Sequence, residues 1–313
     1  MWLYLKDKFI ISNEAWHEIA IKANDLPNIY SIKKRINELN SEWNLNPTPG
    51  DAEGVQLGFA ERLQKHIVRL QKNGEINDGE TIKIKLSGDG TNIGKGLTVV
   101  NFTFTILHEK DVAMREKGNY ILAVIKSKET YDNLRDSLAD LRMEMSNLKE
   151  ISANNCTYKI EYFLRGYLKF LALVCGLGRA NEDYACVWCK CPREQWWDTS
   201  KTLSINDPKF GARTVTEIAR FSTGRKLNCK AQPLFDFIPM DLVIIDTLHF
   251  FLRISDVLIN LFTRKKTSDR FPRDKYKHMA CYEEFIKRNS KSWFEHFLKV
   301  YQAKDVTPYM HAL

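Results

Sequence analysis

The feature that most restricts this chain is a change of hydrophobic period near residue 81. Ile82, Ile84 and Leu86 alternate with Thr81, Lys83 and Lys85, the two-residue repeat of a strand with one buried face. Ser87 to Gly96 holds four glycines and reads as a turn. Val100, Phe102, Phe104 and Ile106 then alternate with Asn101, Thr103 and Thr105, which predicts a second strand paired as a hairpin with the first. Tyr120 to Ile125 reads as a third strand. Leu134, Leu138, Leu141, Met145 and Leu148 form a one-sided helical stripe, with Thr130 or Ser127 available to cap its start. Thr157 to Leu164 is strand-like again, Arg165-Gly166 closes it, and Leu168 to Leu177 opens a buried helix.

The order strand, strand, strand, helix, strand, helix over 79–177 predicts an incomplete RNase-H-like domain within a mixed α/β chain. In such a domain the crossover helix brings the fourth strand parallel to the first, by a right-handed connection. Upstream, 1–78 reads as a helical N-terminal segment. Scattered apolar positions run from Ala15 to Leu39, Pro47-Thr48-Pro49-Gly50 breaks the chain, and a helix from Val55 to Lys72 ends at Asn73-Gly74. Downstream, 178–313 reads as a helical insertion, with a strand at Leu242 to Ile245 and a buried helix over Thr247 to Phe262. No internal repeat is visible.

The chain has 313 residues and no apolar run approaching the ~20 needed to span a membrane. Met1-Trp2-Leu3-Tyr4-Leu5-Lys6 is too short and too soon charged for a secretory signal. Its seven cysteines include a cluster at Cys186, Cys189 and Cys191, so a metal site in a reducing compartment is expected before a disulfide framework. The net charge of +8 favours an anionic partner, nucleic acid before membrane, although a merely basic surface gives the same sum. Arg264, Lys265, Lys266, Arg270 and Arg273 are the candidate phosphate contacts; a solvated loop is the plainer explanation of that run.

Asp89 is the first candidate for chemistry. RNase-H-type nucleases place one carboxylate after the first strand and another after the fourth. Two Mg²⁺ ions ~4 Å apart need oxygen ligands while they activate water and stabilise the leaving oxygen. A turn aspartate between glycines would look the same. After the fourth strand comes Leu164-Arg165-Gly166-Tyr167-Leu168-Lys169-Phe170-Leu171, without a carboxylate. The nearest acids are Glu161, Glu182 and Asp183. Cys186-Val187-Trp188-Cys189-Lys190-Cys191 can present two thiolates to one Zn²⁺, with Cys191, Cys229, His249 or His311 as further ligands, or can be buried thiols alone. Trp196 and Trp197 suit packing around such a site, His249 suits a helix core, and Asp246 and Asp256 suit capping and surface positions.

Three blocks together carry a resemblance: Ile84-Lys85-Leu86-Ser87-Gly88-Asp89-Gly90, Val100 to Thr105, and Tyr184-Ala185-Cys186-Val187-Trp188-Cys189. With Val243 to His249 and Thr307 to Leu313, they resemble the catalytic core shared by Transib-type DNA transposases and the V(D)J recombination-activating protein. The resemblance covers roughly 75–313. It implies a first catalytic Asp at Asp89 and a second at the position of Tyr167, where relatives read Gly-Asp-x-Lys-Phe-Leu. It also implies zinc ligands at Cys186, Cys189 and His311, and a third acid, a Glu, further along than Leu313.

A tyrosine has a pKa of ~10 and is an uncharged phenol at neutral pH, a poor ligand for Mg²⁺. The expectation is therefore a transposase-derived protein that binds duplex DNA, in the nucleus or otherwise the cytoplasm. It would hold a structural zinc in a partial site, and the ancestral Mg²⁺-dependent cleavage and strand transfer of DNA recombination would be lost. Two alternatives stand beside it: a regulatory protein that dimerises with itself or an intact relative, and a residual metal nuclease using Asp89 with Glu182 or Asp183. No membrane or small-molecule substrate is expected.

Overall fold

A computed structural model of the chain describes residues 2–9, 11–23, 25–41, 43–93, 96–113, 115–196 and 211–246. The helix expected over Thr247 to Phe262, His249, the cations Arg264, Lys265, Lys266, Arg270 and Arg273, and His311 lie outside the described residues, as does Trp197.

The chain begins with α1 (Trp2–Lys8), α2 (Asn13–Lys22) and α3 (Ile29–Ser41). Ser12 caps α2 by accepting the Ala15 N–H at 3.1 Å, and Asn28 accepts the Ser31 N–H at 2.9 Å. The Trp16 indole donates to the Pro27 carbonyl at 2.9 Å and pins the connection between the helices. Trp16, Ile29 and Ile32 are buried, with Leu3, Ile11, Ala20 and Ile36 packed around them, in a cluster separate from the main core. The stretch from Ala15 to Leu39 is thus two helices: α2 ends at Lys22 with Ala23 extended, and Pro27 lies in the connection before α3.

Then follow β1 (Leu45–Pro47), β2 (Glu53–Leu57) and α4 (Phe59–Lys72). Val55 to Leu57, expected as the first turn of a helix, is strand instead, and the helix starts after Gly58. The remaining elements are β3 (Ile82–Ile93), β4 (Leu97–Ile106), β5 (Tyr120–Lys126), α5 (Tyr131–Ser137), α6 (Ala139–Asn147), β6 (Glu150–Ala153), β7 (Cys156–Gly166), α7 (Leu168–Val174), α8 (Val215–Ser222) and β8 (Val243–Ile245).

Among the described residues the strands form one eight-stranded sheet in the order β1-β2-β5-β4-β3-β7-β6, with β8 also on β7. The pairs β2–β5, β5–β4 and β4–β3 are antiparallel, whereas β3–β7 and β7–β8 are parallel. One side of β7 is divided between two partners. Cys156 to Lys159 pair with β6, and Leu164 to Gly166 with β8. The glycine-rich run expected as a turn is ladder instead: Gly88 pairs with Phe102, Gly90 with Val100 and Ile93 with Leu97. Partner hydrogen bonds over this length outweigh the small intrinsic cost of glycine in a strand. The expected single helix over 134–148 is divided into α5 and α6 at Leu138, and β6 appears where no strand was expected. Beyond residue 178 the described segments are mostly irregular; α8 and β8 are their regular elements.

The core lies on one face of the sheet. Phe59, Leu63, Ile67 and Leu70 of α4, spaced for one helix face, pack with Ile82, Ile84 and Leu86 of β3 and with Val100, Phe102, Phe104 and Ile106 of β4. Each such side chain contributes about 1.5–3 kcal/mol by leaving water. Phe59 and Phe104 meet edge to face at 5.4 Å. Glu144 of α6 accepts the first two N–H groups of α4, Phe59 at 2.9 Å and Ala60 at 2.8 Å, so a carboxylate from one helix caps the other. Among the described residues no helix is long and apolar enough to cross a membrane.

Candidate functional site

The candidate site forms where β3 and β7 run side by side. Their parallel register sets Leu86 beside Leu164 and Ser87 beside Arg165. The ladder ends there, and the residues that follow on each strand bring Asp89 close enough for its charge to act on the Tyr167 phenol. Because side chains alternate, Leu86 and Gly88 of β3 and Leu164 and Gly166 of β7 turn to the core and Asp89 turns to the other face. Tyr167, just past the end of β7, is half-buried against the edge of that core. Tyr167 keeps an extended backbone, with φ −76° and ψ 160°, and stands at the start of α7. Phe170, buried one turn into α7, closes the core beneath the site. A Cβ at Gly88 would come within 2.2 Å of its ring, and one at Gly166 within 2.6 Å. Both strands need a glycine there so that α7 can approach.

A third element completes the group. The loop after β5 carries Glu129 past Gly90, whose Cβ, if present, would lie 3.2 Å from the Glu129 Cβ. The Tyr167 hydroxyl donates to Glu129 Oε2. The Lys169 ammonium, in the first turn of α7, lies 2.7 Å from the same oxygen. The Glu129 side chain is 3% exposed and that of Lys169 62%. Glu129 Oε1 is buried with no hydrogen-bond partner among the described residues. Burial, the hydrogen bond to Glu129, and the negative charges of Glu129 and Asp89 together push the Tyr167 phenol far above the ordinary tyrosine range. It stays protonated, as a donor and never a phenolate ligand, at any physiological pH.

The structure places Tyr167 within reach of the Asp89 charge and adds Glu129 and Lys169 to the group. Sequence reasoning missed these two. The available signal was a carboxylate in the short loop after a strand, directly before the Thr130 helix cap. Glu182, the alternative partner for Asp89, is committed elsewhere: it lies 2.6 Å from Lys230 and accepts the Arg179 N–H at 3.1 Å. Asp246, expected to be a surface or capping residue, lies 3.3 Å from Arg165 at the end of β8. Lys85, on the same face of β3, is held below the usual amine range, mainly by burial and also by the neighbouring Arg165 charge.

The cysteine cluster forms a second group. The turn from Cys186 to Cys189 is organised by Arg213, a buried residue. Its Nε donates to the carbonyls of Cys186 and Cys189, each at 2.9 Å, its Nη2 to the Tyr184 carbonyl at 2.6 Å, and its Nη1 reaches Cys229 Sγ at 3.5 Å. The Cys189 and Ala212 backbones form a bridge, and the Trp188 indole donates to the Val243 carbonyl at 2.8 Å, tying the turn to β8. The Cys186 and Cys189 thiols interact directly, and that hydrogen bond, with burial, pushes the Cys189 thiol up. Trp196 donates to the Cys191 carbonyl at 3.1 Å, a packing role beside the cluster. The two adjacent thiols fit half of a tetrahedral zinc site. Among the described residues no three His, Cys, Asp or Glu side chains are placed to hold a metal ion. The six described cysteines are free thiols.

Compared with known proteins, the chain matches no protein-family model and no curated protein.

Proposed function

We propose that this chain is a transposase-derived DNA-binding protein built on an RNase-H-like core whose cleavage pocket is silent. The strand order β5-β4-β3-β7-β8, with β3 and β7 parallel, supports the RNase-H-like reading. The observation that carries the silent pocket is the Tyr167 hydroxyl, neutral, within reach of the Asp89 charge and hydrogen-bonded to Glu129. Where a two-metal nuclease needs a second carboxylate, this chain supplies a phenol and an ammonium. The loss of one member of such a unit lowers activity about a thousandfold or more. The net charge of +8 supports an anionic partner, and duplex DNA is the one that goes with the resemblance of the sequence blocks. A structural zinc held by Cys186 and Cys189, with His311 beyond the described residues, belongs to the same reading.

The test is two assays on the purified protein. Duplex DNA binding that weakens as salt rises is expected. Supercoiled plasmid should remain intact in Mg²⁺ or Mn²⁺, for the wild type and for Asp89→Ala alike. Nicking that Asp89→Ala abolishes overturns the silent pocket. If Glu129→Gln abolishes it as well, Glu129 is the acid that replaces the missing one, and the residual nuclease is the better reading.

A further inference from the structure

The N-terminal helices form a unit with its own small core, and what that core presents outward is the outer face of α3. Ile29, Ile32 and Ile36 turn inward on α3. On the opposite side, Tyr30, Lys34 and Asn37 follow the spacing i, i+4, i+7, with Lys33 and Arg35 flanking them, and all five are exposed. Tyr30 is the most exposed large hydrophobic side chain among the described residues, at 77%. Arg35 is paired with Glu38 at 3.1 Å, one turn on. Glu14 of α2 is held below the usual carboxylate range by hydrogen bonds to its own backbone and to Ser12, and then by the charges of Lys33 and Lys6, so two cations lie along that edge.

The presentation is stiff. Trp16 holds the α2–α3 connection through the Pro27 carbonyl, and Asn28 caps α3. The thirteen residues of α3 make a rod about 20 Å long, which fits a major groove roughly 12 Å wide. Its outer chemistry is ammonium, amide and phenol. Lysines serve as phosphate contacts, and an asparagine can read an adenine edge with both a donor and an acceptor. Three cations, Lys33, Lys34 and Arg35, stand on or beside this face against one acid, Glu38, a balance that complements a polyanion.

We propose that α3 is a DNA-contacting helix that lies in the major groove, with Lys33 and Lys34 on phosphates and Tyr30 and Asn37 towards the base edges. This rests on the duplex-DNA reading above and adds a second contact surface, on a unit that does not share the main core.

The test uses the full chain and fluorescence anisotropy with a mixed-sequence duplex of about 20 base pairs, over ~50–200 mM salt. Lys33→Ala with Lys34→Ala should weaken binding about tenfold and flatten the salt slope by about two, one for each ammonium taken off a phosphate. Lys72→Ala with Lys117→Ala, two exposed lysines elsewhere, should change affinity less than threefold. Circular dichroism should show unchanged helix content, since alanine is the better helix former at both α3 positions. Equal weakening in the two double variants, or none in either, overturns the α3 assignment and leaves DNA binding in place. A wild-type chain that does not bind duplex at all overturns the DNA reading and this proposal with it.

Discussion

The Tyr167 hydroxyl donates to Glu129, joining the end of β7 to the loop after β5 across the face of the sheet that carries Asp89. This single bond occupies one carboxylate oxygen of Glu129, and Lys169 reaches the same oxygen at 2.7 Å.

Tyr167→Phe keeps the ring and removes the donor. Glu129 then keeps Lys169 as its partner but loses a buried hydrogen bond, a cost of about 1–3 kcal/mol. Urea unfolding should show that loss. A stability unchanged within a few tenths of a kcal/mol would mean that the bond contributes nothing.

Tyr167→Asp should have the opposite signature in the presence of metal. It gathers Asp89, Glu129 and a new carboxylate around one ammonium, so without metal the variant should melt below the wild type through like-charge repulsion. Millimolar Mn²⁺ should raise its melting temperature and leave the wild type unchanged, because an ion that binds the folded state alone stabilises it. Equal response of both proteins to Mn²⁺ would argue against this pocket.

Asp89 and Tyr167 were singled out by the resemblance of the blocks around them, whereas the alternation that placed the start of β3 stops at Leu86 and gave Asp89 a turn instead of its place in the ladder. Glu129 was not, since a loop of three residues after a strand has no period to say which way its side chains turn. The strand at Val55 to Leu57 was hidden because its hydrophobic spacing also suits a helix; pairing with β5 decided the matter. The glycines at 88 and 90 read as a turn locally, and their role inside a ladder follows from their closeness to Phe170 and Glu129, far away in sequence.

Gly88→Ala should be strongly destabilising for that reason. Its Cβ would meet the Phe170 ring at 2.2 Å, and overpacking of this kind costs about 1–3 kcal/mol, or more where the neighbour cannot move. Phe170→Leu in the same chain should recover part of the stability, since the two changes meet at one place. Additive effects in the double variant would mean that the ring is not the obstacle.

His66 gives the fold a pH dependence. Burial, Arg69 and Arg62 together lower its imidazole from 6.5 to about 4. The unfolded chain therefore takes up the proton first, and stability falls as pH drops from about 6.5 towards 4; above 6.5 the contribution is complete. With the ring partly open to solvent, roughly 1–2 kcal/mol is expected over that window. His66→Gln should flatten the curve of unfolding free energy against pH there, and an unchanged slope would assign the dependence to other groups.

Arg213 should prove essential to the cysteine turn. Arg213→Met removes the donor shared by the Cys186, Cys189 and Tyr184 carbonyls, at a cost of at least about 3 kcal/mol. Metal mass spectrometry should find about one zinc per wild-type chain and markedly less in the variant. Less than about half a zinc in the wild type would remove zinc from the proposed function.

The two short strands that share one side of β7 have a consequence for self-association. β6 offers four residues running one way and β8 three running the other, so a foreign strand arriving along either of them meets a short template. Long, flat rows of open amides are what seed fibrous stacking, and interrupting the row is a known safeguard. The parallel pairing of β3 with β7 joins segments more than seventy residues apart, contacts of the kind that form slowly, and an interrupted row beside it offers little for stray strands to extend meanwhile.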